Sequence, residues 1–363
     1  MKKRKFDLVL FIAVILLILF GLIMIYSASS IWAEYKFGNK YHYFIMQLIF
    51  LIIGIILMVL VSKVDYKVYL KRSNKILFIC IILLILVLIP GIGKVRNGSR
   101  SWFGIGGLGI QPSEFMKLAL IIFTSKYIHN NPKCMSSVKK GAFPILLVTM
   151  LSFLLIMLQP DFGTGTILVI TIISMLFISG IETSFFIKSM FVLIFFASIL
   201  ILAAPYRLKR VVSFLNPWSD PLGTGFQAIQ SLYAIGPGGL FGLGFGNSIQ
   251  KHFYLPEPQT DFIFSIISEE LGILGIISVA ALFLFIIIRC VKISAKAPDM
   301  FSKFISFGIL FQLSFQALLN LSVVVGLIPV TGVTLPFFSY GGSSLLITMI
   351  SMGIVLNISR HEK

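Results

Sequence analysis

Charged residues are scarce in this chain, and their scarcity limits the classes of protein to which it can belong. Only 12% of its 363 residues are charged, whereas soluble domains carry about 25%. Acidic residues are the fewest, with 13 Asp and Glu against 30 Lys and Arg. Because 58% of the residues are hydrophobic, the composition excludes an ordinary soluble domain and predicts an integral membrane protein.

Cysteine and histidine are also rare, and this argues against several kinds of site. Cys80, Cys134 and Cys290 are an odd number without CxxC spacing, so neither a disulfide nor a metal centre is indicated. Four scattered histidines support no Ser-His-Asp grouping, and there is no HExxH motif or Walker A loop. The run GLFGLGFG resembles a dinucleotide-binding loop in texture, but it does not link a strand to a helix, so we reject that interpretation.

Long apolar runs are abundant instead. A transmembrane helix needs roughly 17–25 residues to cross a hydrocarbon core of about 30 Å, and most of the runs reach that length. We therefore predict an all-α membrane protein of about ten helices, folded as one polytopic domain over residues 1–363. The ten runs lie near residues 7–30, 43–62, 75–90, 114–129, 142–160, 162–181, 184–204, 261–288, 304–327 and 340–358.

The net charge of +17 follows the topology that these runs predict. Ten crossings that begin inside place the basic N-terminus and the basic loop 63–75 in the cytoplasm. Roughly two thirds of the Lys and Arg residues then fall on that side, which is the positive-inside pattern. The charge therefore indicates orientation in the cytoplasmic membrane, with both termini cytoplasmic, and gives no reason to expect a nucleic-acid partner.

Three Gly-rich loops fall on the predicted outer side, at residues 91–113, 205–258 and 328–339. The second is a large extracytoplasmic loop between the seventh and eighth helices. Loops of that length are usually functional or disordered, and its aromatic residues favour order. Its middle, FQAIQSLYAIG, predicts a short helix along the surface.

A carboxylate lies at the outer end of the eighth predicted helix, where Asp261 follows Thr260 in PEPQTDFIFSIISEELGILG. One interpretation is a helix N-terminus, with Thr as the cap and Asp favoured by the helix dipole by about 0.3–1 kcal/mol. The other is an ionised carboxylate at the membrane boundary, within reach of a substrate. The two interpretations are compatible.

Glu114 and Lys117 are spaced i, i+3 at the start of the fourth predicted helix, so they share one face. The spacing fits an ion pair that stabilises the helix end and a functional pair equally well. If the fourth and eighth helices pack together, Lys117 would lie between Glu114 and Asp261. Its charge would then keep Asp261 ionised, as a general base requires.

Three cations follow the seventh predicted helix on the outer side, against the positive-inside trend. They are Arg207, Lys209 and Arg210. Two interpretations remain open, because such a group can pair with lipid headgroups or hold an anionic substrate; guanidinium groups match phosphate geometry.

Two adjacent carboxylates, Glu269 and Glu270, lie about 12–14 Å deeper than the start of the eighth helix. A carboxylate at the centre of a membrane helix costs about 2.5–3.5 kcal/mol on insertion scales. We therefore expect at least one of them to face the bundle interior, in a structural role or as a protonated carboxyl. Asp161, in LQPDFGTG, is interpreted as part of a tight turn.

At these motifs the chain resembles the SEDS family, named for shape, elongation, division and sporulation. The resemblance extends almost end to end, and its wording is more similar to the division and sporulation members than to the elongation members. The segments that carry it are NGSRSWFGIGGLGIQPSEFMKLA (97–119), QPDFGTG (159–165), YRLKRVVSFLNPWSDPLGTGFQAIQSLYAIGPGGLFGLGFG (206–246), YLPEPQTDFIFSIISEELG (254–272) and GLIPVTGVTLPFFSYGGSSL (326–345).

The resemblance implies a ten-helix fold and a peptidoglycan glycosyltransferase that polymerises lipid II. The essential Asp of the family's TDF motif falls on Asp261, and its QPSE-x-x-K motif places a supporting pair on Glu114 and Lys117. Its YRxxR motif falls on Arg207 and Arg210. As a general base, Asp261 would contribute about 10²–10⁴-fold.

The same segments imply further binding residues and partners. Arg100, Gln111 and Ser343 are additional candidates for substrate binding, and a divalent cation at the lipid diphosphate is the only cofactor considered. The implied partners are lipid II, membrane lipid and a class B penicillin-binding protein. The chain departs from many members at Gln259, where they have His, so a role that needs this His is in doubt.

Two other functions fit the same motifs. A lipid II flippase would use the charges as a hydrophilic path, and a non-catalytic scaffold would recruit division or sporulation proteins. Most of the motifs concentrate at the outer face, which favours chemistry there over transport through the bilayer. A scaffold has no need of the carboxylates and the lysine.

Overall fold

The computed structural model describes residues 6–96, 98–105, 108–202 and 205–362, and these form a helical bundle with one small sheet. A three-stranded antiparallel sheet, β1 (Lys94–Arg96), β2 (Ser99–Ile105) and β3 (Leu108–Ile110), lies between α3 and α4. The α-helices are α1 (Leu8–Phe37), α2 (His42–Lys63), α3 (Lys67–Leu88), α4 (Pro112–Asn130), α5 (Phe143–Met157), α6 (Phe162–Ile178), α7 (Thr183–Leu202), α8 (Pro205–Leu215), α9 (Phe226–Ile235), α10 (Ile263–Ala295), α11 (Met300–Val324) and α12 (Gly342–Ser359).

The predicted fold class is confirmed, because α1–α7 and α10–α12 follow the ten apolar runs in order. Within the described residues, six helical segments are long and apolar enough to cross a membrane by length and composition: Leu8–Phe37, His42–Lys63, Val138–Met157, Ile263–Ala295, Met300–Val324 and Gly342–Ser359. The count of ten crossings stays a prediction. Helix α3 begins at Lys67 rather than at residue 75, since its basic first turns are good helix formers that extend past the apolar run.

The centre of the bundle is formed by α4, α11 and α12. In α4, 13 of the 19 residues are buried. The most apolar stretches of α11 and α12 are 61% and 78% buried, against 28% for α2 and α10, which present most of their apolar surface outward. Helix α12 packs against α2 and α4, and α11 packs against α4, α6 and α10. Helix α11 therefore separates α4, which carries Glu114 and Lys117, from α10, which Asp261 precedes.

The first Gly-rich loop is more regular than its composition predicts. It folds into the sheet, in which Val95 pairs with Arg100 and Phe103 pairs with Ile110. Pairing across three short strands uses backbone groups, which the side-chain sequence of a Gly-rich loop does not reveal. The sheet leads directly into α4 and its paired charges.

The large loop 205–258 contains two α-helices, of which the sequence predicted one. Helix α9 is the predicted short helix, and it packs against α10 and α11, where the Ser231 hydroxyl donates to the Val324 carbonyl at 2.7 Å. Helix α8 is new, because we assigned residues from 205 onward to irregular structure. Beyond Gly239 the chain returns alongside α10, and this segment belongs to the site described below.

At the opposite end of the bundle, Asp299 caps α11. Its carboxylate accepts hydrogen bonds from the Ser302 backbone N–H at 2.8 Å and from the Tyr66 hydroxyl at 2.6 Å. Burial alone raises the pKa of Asp299, but the hydrogen bonds from Ser302 and Tyr66 outweigh it and hold this pKa below its usual value. The carboxylate thus ties the start of α3 to the start of α11.

Replacing this cap is expected to destabilise the protein in a pH-dependent way. Asp299→Ala should lower the free energy of unfolding by about 1 kcal/mol, since a lost N-cap typically costs that much. A depressed pKa gives stability that is present above the unfolded value of about 3.9 and is lost as the pH falls through the folded value. Thermal unfolding in detergent should therefore show a gap between native chain and variant at pH 7 that closes below about pH 4.

The exposed Glu34→Ala variant serves as the control and should unfold like the native chain at both pH values. A gap for Asp299→Ala that persists unchanged in acid would contradict the assigned charge state.

Candidate functional site at the outer end of the bundle

Asp261 lies two residues before the first residue of α10, half-buried at the mouth of the bundle. Asn320 of α11 donates to its backbone carbonyl at 2.8 Å. Its carboxylate faces Gly332, where a Cβ atom would come within 3.7 Å of Asp261 Oδ2. The backbone of the third Gly-rich loop therefore forms one wall beside this carboxylate.

The predicted Thr260 cap is wrong. The N-cap of α10 is Phe262, which makes no side-chain capping bond, and the Thr260 hydroxyl instead donates to the Glu257 carbonyl at 2.8 Å. Asp261 therefore belongs to the loop, which is further fixed by the Tyr340 N–H donating to the Gln259 carbonyl. Its position depends on these loop contacts.

Glu114 and Lys117 form the predicted ion pair, with 2.9 Å between Lys117 Nζ and Glu114 Oε1. Both residues are buried, at 5% and 2% exposure. Lys117 also donates to Gln316 Oε1 at 3.1 Å, and Gln316 Nε2 donates to the Thr334 carbonyl at 3.1 Å. Because the lysine is enclosed, this pair is far more constrained than an exposed i, i+3 pair.

Two amides of α11 connect the two halves of the site. Gln316 holds Lys117, and Asn320, one turn further along the same face, donates to both the Asp261 and Val333 carbonyls. Neither amide was predicted from the sequence. Polar side chains spaced i, i+4 in an otherwise apolar membrane helix are the signal that reveals them.

Asp161 belongs to this site as well as to the turn predicted for it. It caps α6 by accepting from the Thr164 N–H at 3.1 Å, and it accepts from Gln111 Nε2 at 2.9 Å. Burial raises the pKa of Asp161 above its ordinary value, and the hydrogen bonds from Thr164 oppose this shift without cancelling it. The charges of Glu114 and Lys117 also act on Asp161, in opposite directions. A third carboxyl therefore lies close to the buried ion pair.

The remaining predicted binding residues fall into different environments. Ser343 is 1% exposed, accepting from the Gln111 N–H and donating to the Gly109 carbonyl. Its hydroxyl thus joins the start of α12 to the start of α4. Arg100 lies half-buried in β2. The side chains of Arg207 and Arg210 lie outside the described part of the structure, although their backbone is in α8.

Deeper in the bundle, Glu269 and Glu270 are both 0% exposed, so the expectation of at least one inward-facing carboxylate is confirmed. Glu269 accepts from the Ser248 hydroxyl and the Ile249 N–H. Glu270 accepts from the Ser27 hydroxyl at 2.6 Å and pairs with Lys251 at 3.1 Å. The returning segment of the large loop thus supplies most of the partners of these carboxylates.

The GLFGLGFG run has a structural explanation in the same region. Helix α10 is interrupted at Gly272, with φ 61° and ψ −153°. The returning segment fills the interruption: the Leu243 and Gly244 N–H groups donate to the Glu269 and Glu270 carbonyls. A Cβ at Gly242 would lie 2.1 Å from the Glu270 carbonyl oxygen, so only glycine permits this backbone contact.

These contacts describe what the site can do. A half-buried carboxylate at the mouth of the bundle can accept a proton. The enclosed Glu114–Lys117 pair is connected to the Asp261 loop through Gln316 and Asn320 of α11. Among the ion pairs of the described residues, Lys117 joins Glu114 and not Asp261. Within the described ranges no group of three or more His, Cys, Asp or Glu side chains is arranged to hold a metal ion. A divalent cation at the lipid diphosphate stays a prediction.

The fold and site define a class: a polytopic helical membrane protein with a charged site at one end of the bundle, covered by ordered loops. The chain belongs to the cell cycle protein family that comprises FtsW, RodA and SpoVE, whose family model matches residues 7–363. The resemblance inferred from the motifs is thereby confirmed.

Individual relatives match over nearly their whole length. The chain is 51% identical over 362 residues to Stage V sporulation protein E of Bacillus subtilis (strain 168), covering 100% of this chain and 99% of that protein. It is 42% identical to the Probable peptidoglycan glycosyltransferase FtsW of Trichlorobacter lovleyi, covering 100% and 95%. The similarity to sporulation and division members agrees with the amino-acid sequences of the motifs.

Solved structures show the same fold. A chain from the structure described as "Structural coordination of polymerization and crosslinking by a peptidoglycan synthase complex" superposes with a TM-score of 0.81 at 29% identity, over 98% of both chains. The Rod shape determining protein RodA of Thermus thermophilus gives a TM-score of 0.73 at 27% identity, over 98% of this chain and 97% of that one.

The deep ion pair offers a stability test that uses single and double variants. Lys251→Met leaves Glu270 buried without its cation, and such a change typically costs about 3–5 kcal/mol. Lys251→Met/Glu270→Gln removes both charges and is expected to cost much less, because neutral groups of similar volume need no counter-charge. Thermal unfolding of the native chain, both single variants and the double variant measures the coupling. Additive losses would show that the two groups do not depend on each other.

Proposed function

We propose that this chain is a peptidoglycan glycosyltransferase that polymerises lipid II into glycan strands at the outer face of the cytoplasmic membrane, in septum or spore-cortex synthesis. The relatives named as peptidoglycan glycosyltransferases support the reaction class. The observation that carries the assignment to a site is the half-buried Asp261, whose backbone carbonyl is held by Asn320 of α11, while Gln316 of the same helix holds the enclosed Glu114–Lys117 pair.

The proposed step is a single displacement. The 4-hydroxyl oxygen of the acceptor sugar attacks the anomeric carbon of the donor, the bond from that carbon to the diphosphate oxygen breaks, and the diphosphate leaves with the electron pair. Asp261 takes the hydroxyl proton as general base. One base and an incoming hydroxyl fit inversion at the donor carbon, so no covalent glycosyl intermediate is expected.

The other residues have supporting roles in this proposal. Lys117, held by Glu114 and Gln316, sets the charge around the base and positions the loop that faces it. Arg207, Arg210 and Arg100 bind the diphosphate and stabilise its departing charge. Both termini are assigned to the cytoplasm, because the basic loops lie at the end of the bundle opposite Asp261.

A class B penicillin-binding protein is the proposed partner, supplying the crosslinking activity. The support is the similarity to a chain from a structure described in terms of polymerisation and crosslinking by a synthase complex. In this proposal the partner carries out crosslinking, and polymerisation takes place at Asp261 of this chain.

The flippase alternative is disfavoured by the deep carboxylates. Glu269 and Glu270 are fully enclosed and bonded to Ser248, Lys251 and Ser27. Carboxylates that are fully buried and hydrogen-bonded within the protein do not line an open hydrophilic path. The scaffold alternative leaves the enclosed Lys117 and its partners unexplained, because recruitment of other proteins uses exposed surface.

The first test replaces the proposed base with its isosteric amide. Asp261→Asn should lower the rate of lipid II polymerisation by about 10²–10⁴-fold, because the amide cannot accept the proton. The measurement is glycan strand synthesis by purified protein with its partner. The exposed Asp65→Asn variant, at the opposite end of the bundle, is the control and should polymerise normally. Full activity of Asp261→Asn, or lipid II translocation in liposomes without polymerisation, would contradict the proposal.

A second test addresses the amides of α11. Asn320→Leu removes the hydrogen bonds to the Asp261 and Val333 carbonyls, and Gln316→Leu removes the contact to Lys117. Both variants should lower kcat by about 10–100-fold with a smaller effect on KM, since they misplace the base without removing substrate contacts. Steady-state kinetics on monodisperse protein provide the measurement. A change confined to KM would place these amides in substrate binding instead.

A further inference from the structure

A cluster of cations lies at the end of the bundle opposite Asp261. Residues 63–75 contain four lysines and one arginine, and residues 126–140 contain four lysines; Asp65 is the only acidic residue in either stretch. All of these cations are exposed except Lys126, which is half-buried. The chemistry of the proposed reaction uses none of them.

Two hydrogen bonds show that these stretches meet. Lys126 Nζ, near the end of α4, donates to Asn74 Oδ1 on α3 at 3.1 Å. The hydroxyl of the adjacent Tyr127 donates to the Lys140 carbonyl at 2.8 Å. The end of α4 therefore contacts both the first half of α3 and the basic turn that precedes α5.

Spacing brings the cations of α3 onto one face. Lys67, Lys71 and Lys75 are separated by four residues each, so they line one side of the helix. Like charges at this spacing repel one another, and none of the three forms an ion pair among the described residues. We call Lys67, Lys71, Lys75, Lys126 and Lys140 the basic cluster.

The cations on α10 and α11 at the same end have more acidic residues near them. Arg289 pairs with Asp7, and Asp299 lies in the chain between Lys296 and Lys303. Two acidic residues thus accompany the four cations of residues 289–303, whereas Asp65 is the only acidic residue among the nine cations of residues 63–75 and 126–140. The unbalanced cluster on α3, α4 and the start of α5 thus calls for an anionic counterpart.

Large apolar side chains lie directly beyond the cluster on the same helices. Phe78 and Ile79 of α3 are 65% and 55% exposed, and Phe143 and Leu147 of α5 are 58% and 56% exposed. A ligand that spans both regions carries negative charge at one end and hydrocarbon at the other. An acidic peptide meets the first requirement only.

We propose that the basic cluster is a binding site for anionic glycerophospholipid of the inner leaflet, with the phosphate at the lysines and the acyl chains along α3 and α5. This inference is independent of the proposed reaction. Each lysine near an anionic headgroup is expected to favour it about fivefold at low salt, and the preference should weaken as salt screens the charges.

The test measures lipid selectivity by electron paramagnetic resonance on the full chain in phosphatidylcholine bilayers. Spin-labelled phosphatidylglycerol and spin-labelled phosphatidylcholine are the probes, and the immobilised fraction of each gives the selectivity. The variant Lys71→Gln/Lys75→Gln/Lys140→Gln removes three charges from the cluster. The matched control, Lys292→Gln/Lys296→Gln/Lys303→Gln, removes three exposed charges elsewhere at the same end.

The native chain and the control are expected to prefer phosphatidylglycerol, and the cluster variant is expected to lose at least tenfold of that preference. Equal losses in both variants, or no preference in the native chain, would overturn the proposal. Binding of a fluorescent acidic peptide without lipid selectivity would overturn it too. If the cluster variant fails to insert, the salt dependence of the native chain tests the proposal instead. Raising the salt concentration from about 0.05 to 0.5 M shortens the screening length roughly threefold. A preference for phosphatidylglycerol that does not change over this range would contradict a charge-based site.

Discussion

Polar groups in the interior of this bundle need partners within the protein, because the hydrocarbon of a membrane offers none. The adjacent carboxylates of Glu269 and Glu270 and the backbone interruption at Gly272 are the strongest instances. Both are satisfied by one segment of the large loop, which returns to the bundle and contributes N–H groups, a serine and a lysine. Asp261 lies within the stretch that joins this segment to α10, so its location depends on the same contacts.

The outer end of the molecule is organised around α11. Its two amides, at Gln316 and Asn320, contact the buried lysine on one side and the Asp261 loop on the other. Amide side chains donate and accept at once without carrying charge. They therefore join a cation, a loop carbonyl and the backbone beside a carboxylate without adding a further ion to an enclosed site.

Much of the architecture was predictable from the sequence. Apolar runs gave the order and approximate bounds of the long helices, and the i, i+3 spacing of Glu114 and Lys117 predicted their ion pair. The Asp261 position followed from a carboxylate at the head of an apolar segment. These features depend on local spacing, which a sequence displays directly.

Long-range contacts were not predictable in the same way. Thr260 is a residue type that often caps helices. Contacts with a loop distant in sequence, such as the hydrogen bond from Tyr340 to Gln259, hold this stretch outside the helix, and α10 begins only at Ile263. Asp161 was assigned to a turn, and its second role beside Lys117 depends on the packing of α4 against α6. The buried position of Lys251 could not be predicted from the residues around it, because its partner, Glu270, lies on α10.

The backbone contact between the Gly-rich run and the break in α10 also constrains how the chain is made. The ribosome completes residues 239–251 before α10, yet the donors of that segment serve acceptors on α10. These contacts can therefore form only after α10 has been synthesised. Until then the N–H groups of Leu243 and Gly244 lack the acceptors, and Lys251 lacks the carboxylate, that the folded bundle gives them.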